Sequence, residues 1–272
     1  MTWKEINDRR KKHIRYGEGL FLRMYREISQ QLKASTQRVQ TPEQLTAIID
    51  QFNPDVDIRD YYKKFYTRTG MDFAKLNYRQ LKKLSGKAEK KDLNTDIRES
   101  IWLEKILKFV DEKCGYKIDQ VYWSHVQDII DITRKAVTKG VSEGWGIEKI
   151  VDNLFSEISE REKWKAMRIA RTEVVSASNM AAMQGAADTG IETEKIWLHP
   201  MTVGPSGFLR DDHLEMNEAR ANMDEPFNMP DGYQMQHPGD PDAPAHHVIN
   251  CRCTVAFEPK GGGLTAQLLG EI

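Results

Sequence analysis

Cys251 and Cys253 stand one residue apart near the C-terminus, with His246 and His247 just ahead of them. The run Val248–Phe257 is rich in apolar and β-branched residues and reads as a strand, where residues two apart share a face. Cys251 and Cys253 would then point one way and Arg252 the other. His213 and His237 fall in the same C-terminal stretch. Thiolate sulfur and imidazole nitrogen are the ligands of tetrahedral zinc, so His213, His247, Cys251 and Cys253 make a candidate zinc site. Cys-x-Cys is a weaker signal than Cys-x-x-Cys, and strand cysteines are more often plain buried residues.

Two enzymatic arrangements compete with it. Asp212-His213, Asn250 and His246 or His247 supply the residue types of a His-Asn-His nuclease, in which one histidine activates water and another holds a divalent metal. Their spacing is loose. Arg171 and Glu173 would suit an ADP-ribosyltransferase, but on a helix two residues apart means about 200° around the axis, so the side chains diverge. An arginine at the edge of a packed stripe needs a partner, and both residues are expected to tie their helix to the sheet that follows.

The elements that must position these groups are mostly helical. The 272 residues are 39% hydrophobic and 30% charged, which excludes a disordered chain. No stretch approaches the roughly 20 apolar residues of a membrane span, and nothing suggests secretion. Three cysteines point to a reducing compartment. The net charge of -1 hides an asymmetry: residues 1–91 hold 21 Lys/Arg against 11 Asp/Glu, and residues 200–258 hold 3 against 10. Arg9, Arg10, Lys11, Lys12 and Arg15 form a basic run that could face DNA phosphates or an acidic protein, or be a solvated helix face.

Apolar periodicity predicts helices over 3–33, from Thr41-Pro42, over 57–84, around Trp102–Phe109 with Gly115 as C-cap, and over 119–139. A shorter helix is expected over 146–158 and another over 160–188. The latter has a stripe of Trp164, Met167, Ala170, Val174, Ser178, Ala181 and Gly185. Asn53-Pro54 and the polar stretch 85–96 break the series. His125 is expected as a packed histidine. Beyond Gly190 the texture changes. A strand is expected over 194–198, a short helix over 211–221, a short strand over 226–229 and the last strand over 248–257. Seven of the ten prolines lie from Pro200 to Pro244. Five methionines from Met201 to Met235 suggest core filling or a partner surface. The expected architecture is a mainly α N-terminal region (1–158), a small C-terminal α+β domain (159–258) and a flexible tail (259–272).

From residue 168 to 257 the order of signals resembles the phage head morphogenesis family, minor head proteins of tailed phages that include the F protein of phage Mu. The matching pieces are Ala170-Arg171-Thr172-Glu173, Asn179, Lys195-Ile196-Trp197, Arg210-Asp211-Asp212-His213 with Leu214, Pro226-Phe227, and His247 through Val255. The last is the most specific. Many members place a Gly soon after the His-x-x-Leu segment, where this chain has Met216-Asn217-Glu218-Ala219, so a different turn is expected. The resemblance implies a non-enzymatic role in head assembly, with Arg171, Glu173, Asn250 and Arg252 structural. Its implied partners are the portal protein, the major capsid protein and packaged DNA, with no membrane. The implied location is the virion head near the portal vertex, and the host cytoplasm during assembly. A host nucleic-acid-binding protein is the alternative that the basic N-terminal part suggests.

Overall fold

The computed structural model describes residues 3–86, 95–200 and 210–260. Six helices come first: α1 (Trp3–Thr36), α2 (Pro42–Asp50), α3 (Ile58–Leu84), α4 (Thr95–Lys113), α5 (Gly115–Ser142) and α6 (Ile147–Ala187). A smaller mixed part follows, with β1 (Thr193–Leu198), α7 (Asp211–Glu215), β2 (Arg220–Asn222), β3 (Phe227–Asn228), β4 (Gln234–Met235), α8 (Ala245–Val248) and β5 (Thr254–Pro259). This is a mainly α N-terminal region with a small C-terminal α+β part, as expected. Among the described residues no helix is long and apolar enough to cross a membrane.

Local chemistry explains the helix starts. The Thr41 hydroxyl accepts the Gln44 N–H ahead of Pro42, and the Asp57 carboxylate accepts the Asp60 N–H ahead of α3. Gly115 does not act as a C-cap. It opens α5 directly after Cys114, whose backbone is itself near-helical (φ −94°, ψ −8°), so α4 and α5 meet without a left-handed residue. The α5 face Val126, Ile129, Thr133, Ala136 and Gly140 is buried as its spacing predicts. His125 is buried against Tyr25, ring centroids 4.2 Å apart.

The 146–158 and 160–188 segments are one helix. α6 runs 41 residues unbroken, about 60 Å, and the 158/159 division falls inside it. It packs against α1 and α3 on one side and β5 on the other. From Ile169 on, nearly every residue is buried, so the expected single stripe becomes an all-round buried segment. Trp164, named at the head of that stripe, is exposed. Close approach explains Gly185, where a Cβ would lie 2.3 Å from the Ala74 carbonyl oxygen of α3.

The sheet has strand order β2-β1-β5, all antiparallel, with Trp197 opposite Val255 and Lys195 opposite Phe257. These four face the main core. Ile196, Leu198 and Ala256 form a small cluster on the other face. β3 and β4 make a separate two-stranded ribbon turning at Gly232 (φ +86°). The helix expected over 211–221 stops at Glu215, because Glu218 takes φ +68° and β2 begins at Arg220. Met216, Met229 and Met235 are core residues. Met201, most of the 85–96 linker and the tail beyond Lys260 lie outside the described residues.

Candidate cysteine–histidine centre and cationic cavity

Pro244, in extended conformation (φ −56°, ψ 151°), starts the short turn α8. Asn250 then takes φ +56°, a left-handed conformation that asparagine tolerates better than most residues. Its N–H donates to Thr172 Oγ1 at 3.1 Å, which fastens the turn to α6. Pairing with β1 begins only at Thr254. The strand expected over 248–257 therefore starts later and is shorter, the six residues Thr254–Pro259. Cys251 and Cys253 share a direction in the segment between this turn and the strand.

That direction is toward His213. Cys251 Sγ lies 3.6 Å and Cys253 Sγ 3.5 Å from His213 Nδ1, and all three residues are buried. His213 Nε2 lies 3.3 Å from His247 Nδ1, and His247 Nε2 lies 2.9 Å from Asp231 Oδ2. Asp212 Oδ2 also approaches His247 Nδ1, at 3.1 Å. Trp197 meets the His213 ring edge-on, centroids 5.4 Å apart. Of the four residues named for zinc, three converge. His247 stands behind His213 and shares its other nitrogen. His237 and His246 are elsewhere: His237 is buried against Phe109, and His246 is an exposed neighbour of Asp231. The two thiols are unequal. The Cys253 S–H donating to it, with His213 alongside, holds the Cys251 thiol well below the usual range. Burial pushes the Cys253 thiol well above it.

The floor of this centre is held from a place the sequence did not suggest. Arg10, named as part of a solvent-facing basic run, is buried. Its guanidinium donates to Ser178 Oγ (2.9 Å), Asn179 Oδ1 (2.8 Å), Thr254 Oγ1 (3.2 Å) and the carbonyls of Arg252 and Cys253 (3.2 Å each). Burial lowers its pKa to about 10. Asn179 is the matching hub. Its Oδ1 also accepts from Thr254 Oγ1 and the Val255 N–H, and its Nδ2 donates to the carbonyls of Pro238 and Cys253. This pair ties α1, α6 and β5 together.

Arg171 and Glu173 do not make the tie expected of them. Arg171 has no hydrogen bond or ion pair among the described residues and lines a cavity instead. Glu173 is buried and faces the helices, accepting the Tyr66 hydroxyl at 2.6 Å and pairing with Lys117 Nζ at 2.9 Å. The basic run also divides. Arg9 pairs with Asp72 (2.5 Å), Lys12 is exposed, and Lys11 and Arg15 reach the same cavity as Arg171. That cavity is about 770 Å³ in volume and lies between α1, α6 and the 249–253 turn. Among the described residues, Arg10, Lys11, Arg15, Arg171, Arg210 and Arg252 line it with Glu18 as the only acid, and His213, Cys251 and Cys253 form one end. An unbalanced set of cations at a concave wall favours anions.

Residues 131–256 match the family model described as Phage Mu protein F like protein. Over those residues, a little under half of the chain, it is similar to that family. That similarity points to a phage head-related protein. The Mu F like stretch begins within α5, takes in α6 and ends inside β5, so it contains His213, His247, Cys251 and Cys253. Arg10 and the rest of α1 lie outside it, yet close the Mu F like part from below. No curated protein and no solved structure matches the chain.

Proposed function

We propose that this is a minor head protein of a tailed phage, attached at the portal vertex and acting in head morphogenesis without enzymatic activity. The match to the phage Mu protein F like family over residues 131–256 carries this reading. The architecture suits it. One unbroken helix joins the N-terminal helices to the C-terminal sheet, and the Arg10–Asn179 bonds fasten the two, giving a stiff attachment body. The cationic cavity and the exposed Lys12 would face packaged DNA or an acidic surface of the portal or capsid protein. Expressed with its phage's portal protein, the full chain should co-purify on the portal ring. It should also appear in purified heads at far fewer copies than the capsid protein. Absence from both would overturn the reading.

A His-Asn-His-like nuclease has less support. Such chemistry needs a histidine nitrogen facing water beside the other catalytic groups. His213 is buried with both nitrogens engaged, those of His247 lie against Asp212, His213 and Asp231, and His246 is exposed beside Asp231 but does not line the cavity. Plasmid nicking with magnesium or manganese should be absent in the wild type and in His213→Ala alike. A host nucleic-acid-binding protein is weakened by internal pairing of its basic part: Arg10 is buried, and Arg9, Lys63, Lys64 and Lys75 pair with Asp72, Asp111, Asp60 and Glu99.

A further inference from the structure

We propose that His213 Nδ1, Cys251 Sγ and Cys253 Sγ hold a zinc ion whose fourth position opens onto the cationic cavity. Four observations converge on it. The first is distance. Tetrahedral zinc bonds sulfur at about 2.3 Å and imidazole nitrogen at about 2.0–2.1 Å, which separates a sulfur from a nitrogen ligand by about 3.5 Å. The two sulfurs lie 3.6 and 3.5 Å from His213 Nδ1, and the three ligand atoms lie within 4.8 Å of one another.

The second is stoichiometry of hydrogen bonding. A neutral imidazole nitrogen offers one lone pair or one proton and serves one sulfur well. Two sulfurs at nearly equal distance from the same nitrogen are both served by one cation between the three. The third is the outer shell. A histidine that binds metal through Nδ1 carries its proton on Nε2, and such histidines usually hand it to a fixed acceptor. His213 Nε2 faces His247 Nδ1 at 3.3 Å, and His247 Nε2 in turn faces Asp231 at 2.9 Å. Asp231 favours a proton on His247 Nε2, which leaves His247 Nδ1 to accept from His213 Nε2, although Asp212 Oδ2 at 3.1 Å competes for that same nitrogen. The role of His247 is thus to orient His213, not to bind metal. The fourth is access. All three ligands line the cavity, so an ion has a path in and a water or small anion can complete the coordination.

The decisive measurement is metal content of the full chain, purified under reducing conditions from zinc-supplied cells and freed of loose metal at neutral pH. About one zinc per chain is expected, kept in Cys114→Ser and lost in Cys251→Ser and in Cys253→Ser. Because those two variants can misfold, the wild type is also stripped by chelation and titrated with cobalt(II). A thiolate-to-cobalt charge-transfer band with tetrahedral visible bands is expected, displaced by zinc. His247→Ala should still bind zinc, but about 10–100-fold more weakly. A folded wild-type chain with no zinc and no cobalt–thiolate band would overturn the proposal, whether its thiols titrate free or pair as a disulfide.

Discussion

The Arg10 guanidinium donates to Asn179 Oδ1 at 2.8 Å, across 169 residues of sequence. Arginine presents donors in a fixed fork, and here the fork spans a side-chain amide, two hydroxyls and two backbone carbonyls. Arg10→Met should lower stability in denaturant unfolding by about 3 kcal/mol, since it orphans several buried acceptors. Arg10→Lys should recover little of this, because a point charge cannot serve the fork. A loss under about 0.5 kcal/mol would place these bonds among the expendable ones.

Glu218 occupies the left-handed region, at φ +68°, in the turn between α7 and β2. Glu218→Gly should therefore stabilise the chain by about 0.5–1 kcal/mol. Asn250→Gly, at φ +56°, should be close to neutral, because asparagine tolerates that conformation. Melting temperatures of the two variants check the contrast.

Glu173 ties α6 to α3 through Tyr66 and to α5 through Lys117. Glu173→Ala should cost about 3 kcal/mol, leaving the Lys117 ammonium without its partner. Tyr66→Phe should cost only about 1 kcal/mol. Equal losses in the two would mean that the hydroxyl, and not the ion pair, carries the contact.

Lys195 is buried on the sheet's core face and donates to the Gln236 carbonyl at 2.9 Å. Burial brings its pKa down to about 8. The unfolded value is about 10.4, so between these limits the unfolded chain binds more protons and stability rises with pH. Relative to Lys195→Met, the wild type should gain about 1.4 kcal/mol per pH unit inside this window and show a flat difference below pH ~7. A flat difference throughout would mean that the ammonium keeps its ordinary affinity for protons.

The helices were legible because their apolar spacing and caps are local. The α5 face and the Thr41 and Asp57 starts stand where spacing and capping chemistry put them. Arg10 sits among four other basic residues, so composition points it outward while period points it inward. Yet Ile6, Arg10, His13, Gly17, Phe21, Met24 and Ile28 step by four and three, and all are buried. That spacing marks Arg10 and His13 as inward residues. The shared direction of the cysteine pair was legible from its spacing, whereas the left-handed Asn250 ahead of it, after which pairing with β1 begins only at Thr254, is announced by no local pattern. Where Arg171 and Glu173 point depends on which neighbours surround α6, and that is tertiary information.

The unbroken course of α6 bears on how force would travel through the molecule. From Ile147 to Asn179 the helix has neither proline nor glycine, and such a rod does not flex like a hinge. A pull applied near Ile147 would therefore reach the segment beside Cys253 as a displacement, with no elastic linker to absorb it. Whatever grips the outer end of this rod also holds the cysteine end in register.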